Sequence, residues 1–179
     1  MSAATNDIDL ASLQNRSILL IDDNHAIHRD YKAVLCPEQY DSAGQKLDEL
    51  EDMLFDDQPK KQRRRIRNFV LQSAFQGEEA FEMVKKHLAK GVRYPLAYVD
   101  MRMPPGWDGL ETIENLRQVD PQMNFIIVTA YSDHTYDTIV DRLGPSTPAR
   151  ILYKPFDPSE IYEMSYKILR EWNDRNHGG

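Results

Sequence analysis

Residues 96–109 read LAYVDMRMPPGWDG: an apolar run stops at one carboxylate, Asp100, and two prolines and two glycines follow within nine residues. A short apolar run bounded by turn formers is a buried strand by length and composition. The acid at its end has to face water, and the prolines and glycines then turn the backbone sharply away. Similar strand patterns stand on both sides of it. SILLID (17–22) ends in Asp22 with Asp23 next, NFVLQSA (68–74) follows, NFIIVTA (124–130) ends in Thr129 and Ala130, and RILYK (150–154) ends in Lys154 before Pro155.

Helical patterns alternate with these runs. Asn24 is placed to cap a helix that carries Ile27, Tyr31, Val34 and Leu35 on one face and stops at Pro37. Gly77 leads into a helix with Ala80, Phe81, Val84 and Leu88 at helical spacing and Gly91 closing it, and further helices are expected over 110–119, 135–143 and 158–172. Five strand–helix repeats with strands apolar along their length predict an α/β fold, a doubly wound five-stranded parallel sheet with helices on both faces. In such sheets the functional crevice lies beyond the carboxyl ends of the strands. That gathers Asp22, Asp23, Asp100, Thr129 and Lys154 on one rim, although they are far apart in sequence.

Carboxylates a few ångströms apart repel by about 4 kcal/mol per close pair at an effective dielectric near 20, so three acids on one rim call for a cation or for protonation. Hard oxygen ligands with room left for water suit Mg²⁺. Lys154 is a point charge of the kind that contacts phosphate, and a carboxylate can attack phosphorus to give an aspartyl phosphate. Asp100, alone at its strand tip, is the candidate nucleophile; Asp22 and Asp23 are left to hold metal, and the Thr129 hydroxyl to donate to a phosphoryl oxygen.

ILLIDDN (18–24), YVDMRMPPGWDG (98–109), VTA (128–130) and YKPF (153–156) together resemble the receiver domains of two-component response regulators, the CheY-like family, over residues 16–174. The resemblance implies a flavodoxin-like sheet of strand order 2-1-3-4-5. It also implies that Asp100 is the phospho-acceptor, Asp23 a direct Mg²⁺ ligand, Asp22 a ligand through water and the Arg102 backbone carbonyl the remaining protein ligand. Thr129 is similar to the family's switch hydroxyl and Lys154 to its phosphate-binding lysine. The implied partners are a sensor histidine kinase and a downstream effector or attached output domain. They meet a protein that phosphorylates and slowly dephosphorylates itself and does not turn over an external substrate. A surface made by the fourth helix, fifth strand and fifth helix would carry the signal.

Three features depart from the family pattern. Ile151 stands three residues before the lysine, where the family usually has an aromatic; Tyr153 projects to the same side and either stands in or packs under the last helix. PPGWDG carries one extra residue, so Trp107 is expected near the acceptor, either gating access or covering the third helix. Residues 37–67 form an insertion between the first helix and second strand. In it Leu47, Leu50 and Leu54 suggest a helix over 43–55, and acids at 48–57 are followed by bases at 60–67. A charge-paired fold-back, a homodimer contact and a plain solvated insertion all fit; the face of the fourth helix, fifth strand and fifth helix is the other candidate dimer surface.

Composition narrows the partners. The net charge of -7 and pI near 5.2 argue against general affinity for nucleic acid or anionic membrane. Cys36 is the only cysteine, so no internal disulfide forms, the thiol is expected to be buried and inert, and a reducing cytoplasm is the natural compartment. The N-terminal stretch has no leader pattern, and no apolar run nears the ~18 residues that cross a bilayer. Residues 1–15 read as a loose polar arm, 16–174 as one domain and 175–179 as a tail. His25 and His28 read as an exposed helix face more readily than as a zinc site. The competing functions are a Mg²⁺-dependent phosphohydrolase and a binding module without phosphorylation. Arg102 stands where the hydrolase signature would put a second acid, and the full set of acids, hydroxyl and lysine speaks against the binding module.

Overall fold

A computed structural model describes residues 10–37, 68–130, 136–144 and 147–176. In chain order the elements are β1 (Ser17–Ile21), α1 (His25–Leu35), β2 (Val70–Ala74), α2 (Gly77–Leu88), β3 (Leu96–Asp100), α3 (Gly109–Val119), β4 (Asn124–Ala130), α4 (Tyr136–Leu143), β5 (Ala149–Lys154) and α5 (Pro158–Asn176). The strands form one parallel sheet in the order β2-β1-β3-β4-β5. This is the expected flavodoxin-like arrangement of the CheY-like receiver.

Strand alternation divides the core into two layers. Leu19, Ile21, Ala97, Val99, Phe125 and Ile127 face α2, α3 and α4. Ile18, Leu20, Tyr98, Ile126, Val128 and Leu152 face α1 and α5. Most are fully buried, each worth roughly 1.5–3 kcal/mol relative to exposure for a large aliphatic. Register then fixes the rim: Ile21 pairs with Val99, Asp100 with Val128, and Ala130 with Lys154, so the strand ends carrying polar groups finish side by side.

Local chemistry sets the helix boundaries. Asn24 Oδ1 accepts the Ala26 N–H at 2.9 Å and opens α1 as expected, and Asp108 Oδ1 accepts the Glu111 N–H at 2.7 Å and opens α3. After α2 the chain turns at Gly91, whose φ of 73° is costly for any residue with a β-carbon.

Three expectations need correction. Residues 10–15 are not a loose arm: Leu10–Ser12 form a 3-10 turn, and Leu10 and Leu13 are buried with the α1 and α5 layer. The Asn15 N–H donates to Asn173 Oδ1 (2.9 Å) and Asn173 Nδ2 donates back to the Asn15 carbonyl (2.8 Å), which ties the N-terminal segment to α5. That helix runs to Asn176, past the expected end at Trp172. β2 starts two residues late and is not buried along its length, because it is the sheet edge; Val70 is among the most exposed large apolar residues described.

The ends of the 37–67 insertion meet. The Phe69 N–H donates to the Leu35 carbonyl at 2.9 Å, and the Cys36 thiol donates to the Phe69 carbonyl at 3.2 Å. Cys36 is buried, and burial pushes its thiol up, as an inert cysteine requires. The expected helix over 43–55 and its charge pairs lie outside the described residues. Among those described, no helix is long and apolar enough to cross a membrane.

Candidate functional site

The tips of β1, β3 and β5 bring three side chains together. Lys154 Nζ lies 2.6 Å from Asp100 Oδ1 and 3.7 Å from Asp22 Oδ2, an ammonium shared by two carboxylates. Asp100 Oδ2 accepts the Arg102 N–H at 2.9 Å. Asp22 is 2% exposed, yet its backbone N–H reaches the Ala74 carbonyl (3.2 Å) and its Oδ1 accepts the Asn24 N–H (2.8 Å). Burial pushes the Asp22 carboxyl above the ordinary range; the Asn24 N–H opposes this, the Asp100 charge adds to it, and Lys154 opposes it in turn. Burial alone would lower the Lys154 ammonium, but its hydrogen bond and charge interaction with Asp100, with Asp22 behind, hold it above the usual lysine range.

The remaining expected residues sit differently. Asp23 is exposed beside Asp22. Thr129 is buried, one residue beyond the register partner of Asp100, and its hydroxyl donates to the Ala130 carbonyl at 3.1 Å. Among the described residues, no three His, Cys, Asp or Glu side chains gather closely enough to enclose a metal. Of the three expected acids, Asp22 and Asp100 flank the Lys154 ammonium. Such a donor set fits Mg²⁺, which takes one or two carboxylates and keeps several waters, and does not fit an all-protein cage.

The loop after Asp100 is held by its own residues. Met101 and Met103 are buried among α2 and α3 residues, and the Met101 N–H donates to the Val128 carbonyl (3.2 Å). Gly109 comes so close to the strand tip that a β-carbon there would stand 2.5 Å from the Asp100 carbonyl oxygen. Trp107 is held against α2: its backbone N–H donates to Glu78 Oε1 (3.2 Å) and its ring meets Phe81 edge-on at 5.8 Å. Ile151 packs against the α2–α4 layer. Tyr153, two residues along, shares that side of β5 and pairs in register with Thr129; α5 covers the opposite side, so packing beneath the last helix is excluded.

His28 is the residue missed. It is buried at 8% exposure, with Nε2 2.7 Å from the Asp22 carbonyl oxygen and Nδ1 2.8 Å from Ser73 Oγ. His25 and His28 both lie against Phe75, with centroids at 4.3 and 4.4 Å. Of the two, only His25 belongs to the exposed face. The signal was present in the spacing, since His28, Tyr31 and Leu35 repeat on the buried side of α1.

Comparison with known proteins agrees with this geometry. The response regulator receiver domain family matches residues 54–165. That span leaves out β1 and its aspartates, which the insertion separates from the rest of the sheet in sequence but not in space. Sporulation initiation phosphotransferase F of Bacillus subtilis (strain 168) is 32% identical over 96 residues, covering 54% of this chain and 70% of that protein. Two solved structures share the fold: a CheY-like response regulator receiver domain protein from Methanospirillum hungatei JF-1 (TM-score 0.60, 21% identity, 90% of this chain and 98% of that one), and an adenylate cyclase from Rhodopirellula baltica (TM-score 0.61, 22% identity, 91% and 93%). The match over more than half of the chain, on a 2-1-3-4-5 sheet with an acid–lysine pair at its rim, means that this chain belongs to the response regulator receiver domains, the phosphotransfer signalling modules of two-component systems.

Proposed function

We propose that Asp100 accepts a phosphoryl group from a sensor histidine kinase and that the resulting acyl phosphate changes what the domain binds. An Asp100 carboxylate oxygen attacks phosphorus, the P–N bond to the donor imidazole breaks with its electron pair returning to nitrogen, and a mixed anhydride forms. Mg²⁺ would be held by the carboxylates of Asp23 and Asp100 and the Arg102 carbonyl, with Asp22 acting through water, and would neutralise charge on the transferring phosphoryl oxygens. Lys154 passes from the Asp100 carboxylate to a phosphoryl oxygen. Thr129 turns its hydroxyl from the Ala130 carbonyl towards the same group. These shifts at the ends of β4 and β5 alter the surface of α4, β5 and α5, where an effector or an attached output domain, or a second copy of the chain, reads the state. The insertion at 37–67 is the alternative surface for a second copy.

The contact between Lys154 and Asp100, with Asp22 behind it, carries the proposal, because it unites an acceptor, a phosphate-binding cation and a metal-binding acid. The domain acts in the cytoplasm as a phospho-acceptor that hydrolyses only its own phosphate. Incubation with Mg²⁺ and acetyl phosphate, or with a phosphorylated kinase, should label the wild type and leave Asp100→Asn unlabelled. Equal labelling of both would remove Asp100 from this role.

A further inference from the structure

The structure assigns to His28 and Ser73 a role that the family match does not: they form a relay that positions Asp22 for metal binding, an inference resting on the proposed Mg²⁺ site. The Asp22 N–H is held by the Ala74 carbonyl and its Oδ1 by the Asn24 N–H. His28 holds its carbonyl oxygen. With those three atoms engaged, Oδ2 is the oxygen turned towards Lys154 and the rim.

The chemistry of the contacts fixes the ring. A carbonyl oxygen can only accept, so His28 Nε2 carries a proton and donates to Asp22, and in the neutral ring Nδ1 accepts from the Ser73 hydroxyl. Phe75 packs against the ring, with centroids 4.4 Å apart. The relay joins α1, the tip of β1 and the penultimate residue of β2. It thereby sets the direction of a carboxylate whose neighbour in sequence, Asp23, is exposed. His28 is a positioning residue, acting on the metal site through Asp22 as an outer partner orients a metal-binding carboxylate.

Mg²⁺ affinity by titration calorimetry, melting temperature and Asp100 labelling test this together. His28→Phe keeps the ring against Phe75 and removes both hydrogen bonds; its Mg²⁺ dissociation constant should rise about tenfold, the scale seen when outer partners of metal ligands are removed. His28→Gln, whose amide can still donate to the Asp22 carbonyl, should recover most of that loss. Ser73→Ala should weaken binding by a smaller factor. A purely structural histidine would lower the melting temperature in all three variants and leave the Mg²⁺ constant at the wild-type value, and that result would overturn the role. Should His28→Phe fail to fold, Ser73→Ala decides: weaker Mg²⁺ binding supports the relay and unchanged binding overturns it. A wild-type chain that binds no Mg²⁺ would overturn the metal site itself, and the relay's role with it. A wild type that binds the ion beside an unaffected His28→Phe would overturn the relay alone.

Discussion

The Tyr98 hydroxyl, on the strand that ends in Asp100, lies 2.9 Å from Ser165 Oγ and donates to the Ile161 carbonyl at 3.1 Å, both on α5. The tyrosine is fully buried, and burial pushes its phenol far above the ordinary range, so it stays a neutral donor at any working pH. Tyr31 packs edge-on against it at 4.9 Å and reaches Phe156, just past Lys154, at 5.8 Å. The strand that ends in Asp100 is thus joined to α5 by two polar contacts of one hydroxyl beside an aromatic cluster. Tyr98→Phe should lower unfolding free energy by about 1–2 kcal/mol, the cost of hydrogen bonds lost in a buried place. Urea denaturation checks this, and an unchanged midpoint would show that the hydroxyl contributes nothing.

Lys154→Met removes the only side-chain cation described against Asp22 and Asp100, leaving two acids to repel each other. Millimolar Mg²⁺ should then raise the melting temperature of the variant by more than it raises that of the wild type, since a ligand bound only by the native state stabilises in proportion to what it relieves. Thermal melts with and without Mg²⁺ give the comparison; equal shifts in both proteins would count against a shared cation pocket.

Gly109→Ala places a methyl group 2.5 Å from the Asp100 carbonyl oxygen and 2.9 Å from Met101 Cα, both backbone atoms that cannot swing aside. Overpacking of this kind costs about 1–3 kcal/mol. Acetyl-phosphate labelling should also slow, because the tip carrying the acceptor must shift. A variant as stable and as quickly labelled as the wild type would mean that the loop yields freely.

Asp108 offers a pH test. Burial alone would raise its carboxyl, but the Glu111 N–H and the Arg142 guanidinium, 3.2 Å away, outweigh this and hold it below the usual carboxylate range. A lowered folded-state value means that the stabilisation is fully present above the unfolded value of about 3.9 and is lost as pH falls through the folded one. Asp108→Asn still caps α3 but lacks the charge, so it should be less stable than the wild type at neutral pH by about 0.5 kcal/mol, a small figure because solvent screens both partners. The gap should close below about pH 4. A gap that persists in acid would assign the effect to the cap geometry alone.

The fold was legible because each strand is a short apolar run whose ending differs chemically from its interior, and because the helices between them carry clean stripes. Asp22, Asp100 and Lys154 were legible for the same reason: a polar residue closing a buried strand of a parallel sheet has only the rim to occupy. What sequence hid was mostly contact between distant segments. His28 meets Ser73 across 45 positions, the Trp107 ring meets Phe81 on α2, and Leu10 folds back under α1 and α5. None of these follows from local periodicity. Asp23 follows Asp22 at the end of β1 and is exposed, so its part in the site rests on the family resemblance and on no contact with Asp100 or Lys154.

The hydrogen bond from Phe69 to Leu35 has an architectural consequence. Because the two flanks lie one hydrogen bond apart, a short link can close the gap between them without moving the scaffold they belong to. Those flanks lie beside the first residues of β1 and β2, at the end of the strands opposite Asp22 and Asp100. Whatever the thirty residues between those stapled ends are selected for, excising them and joining Pro37 to Asn68 by a short turn should leave an acceptor that still ignites.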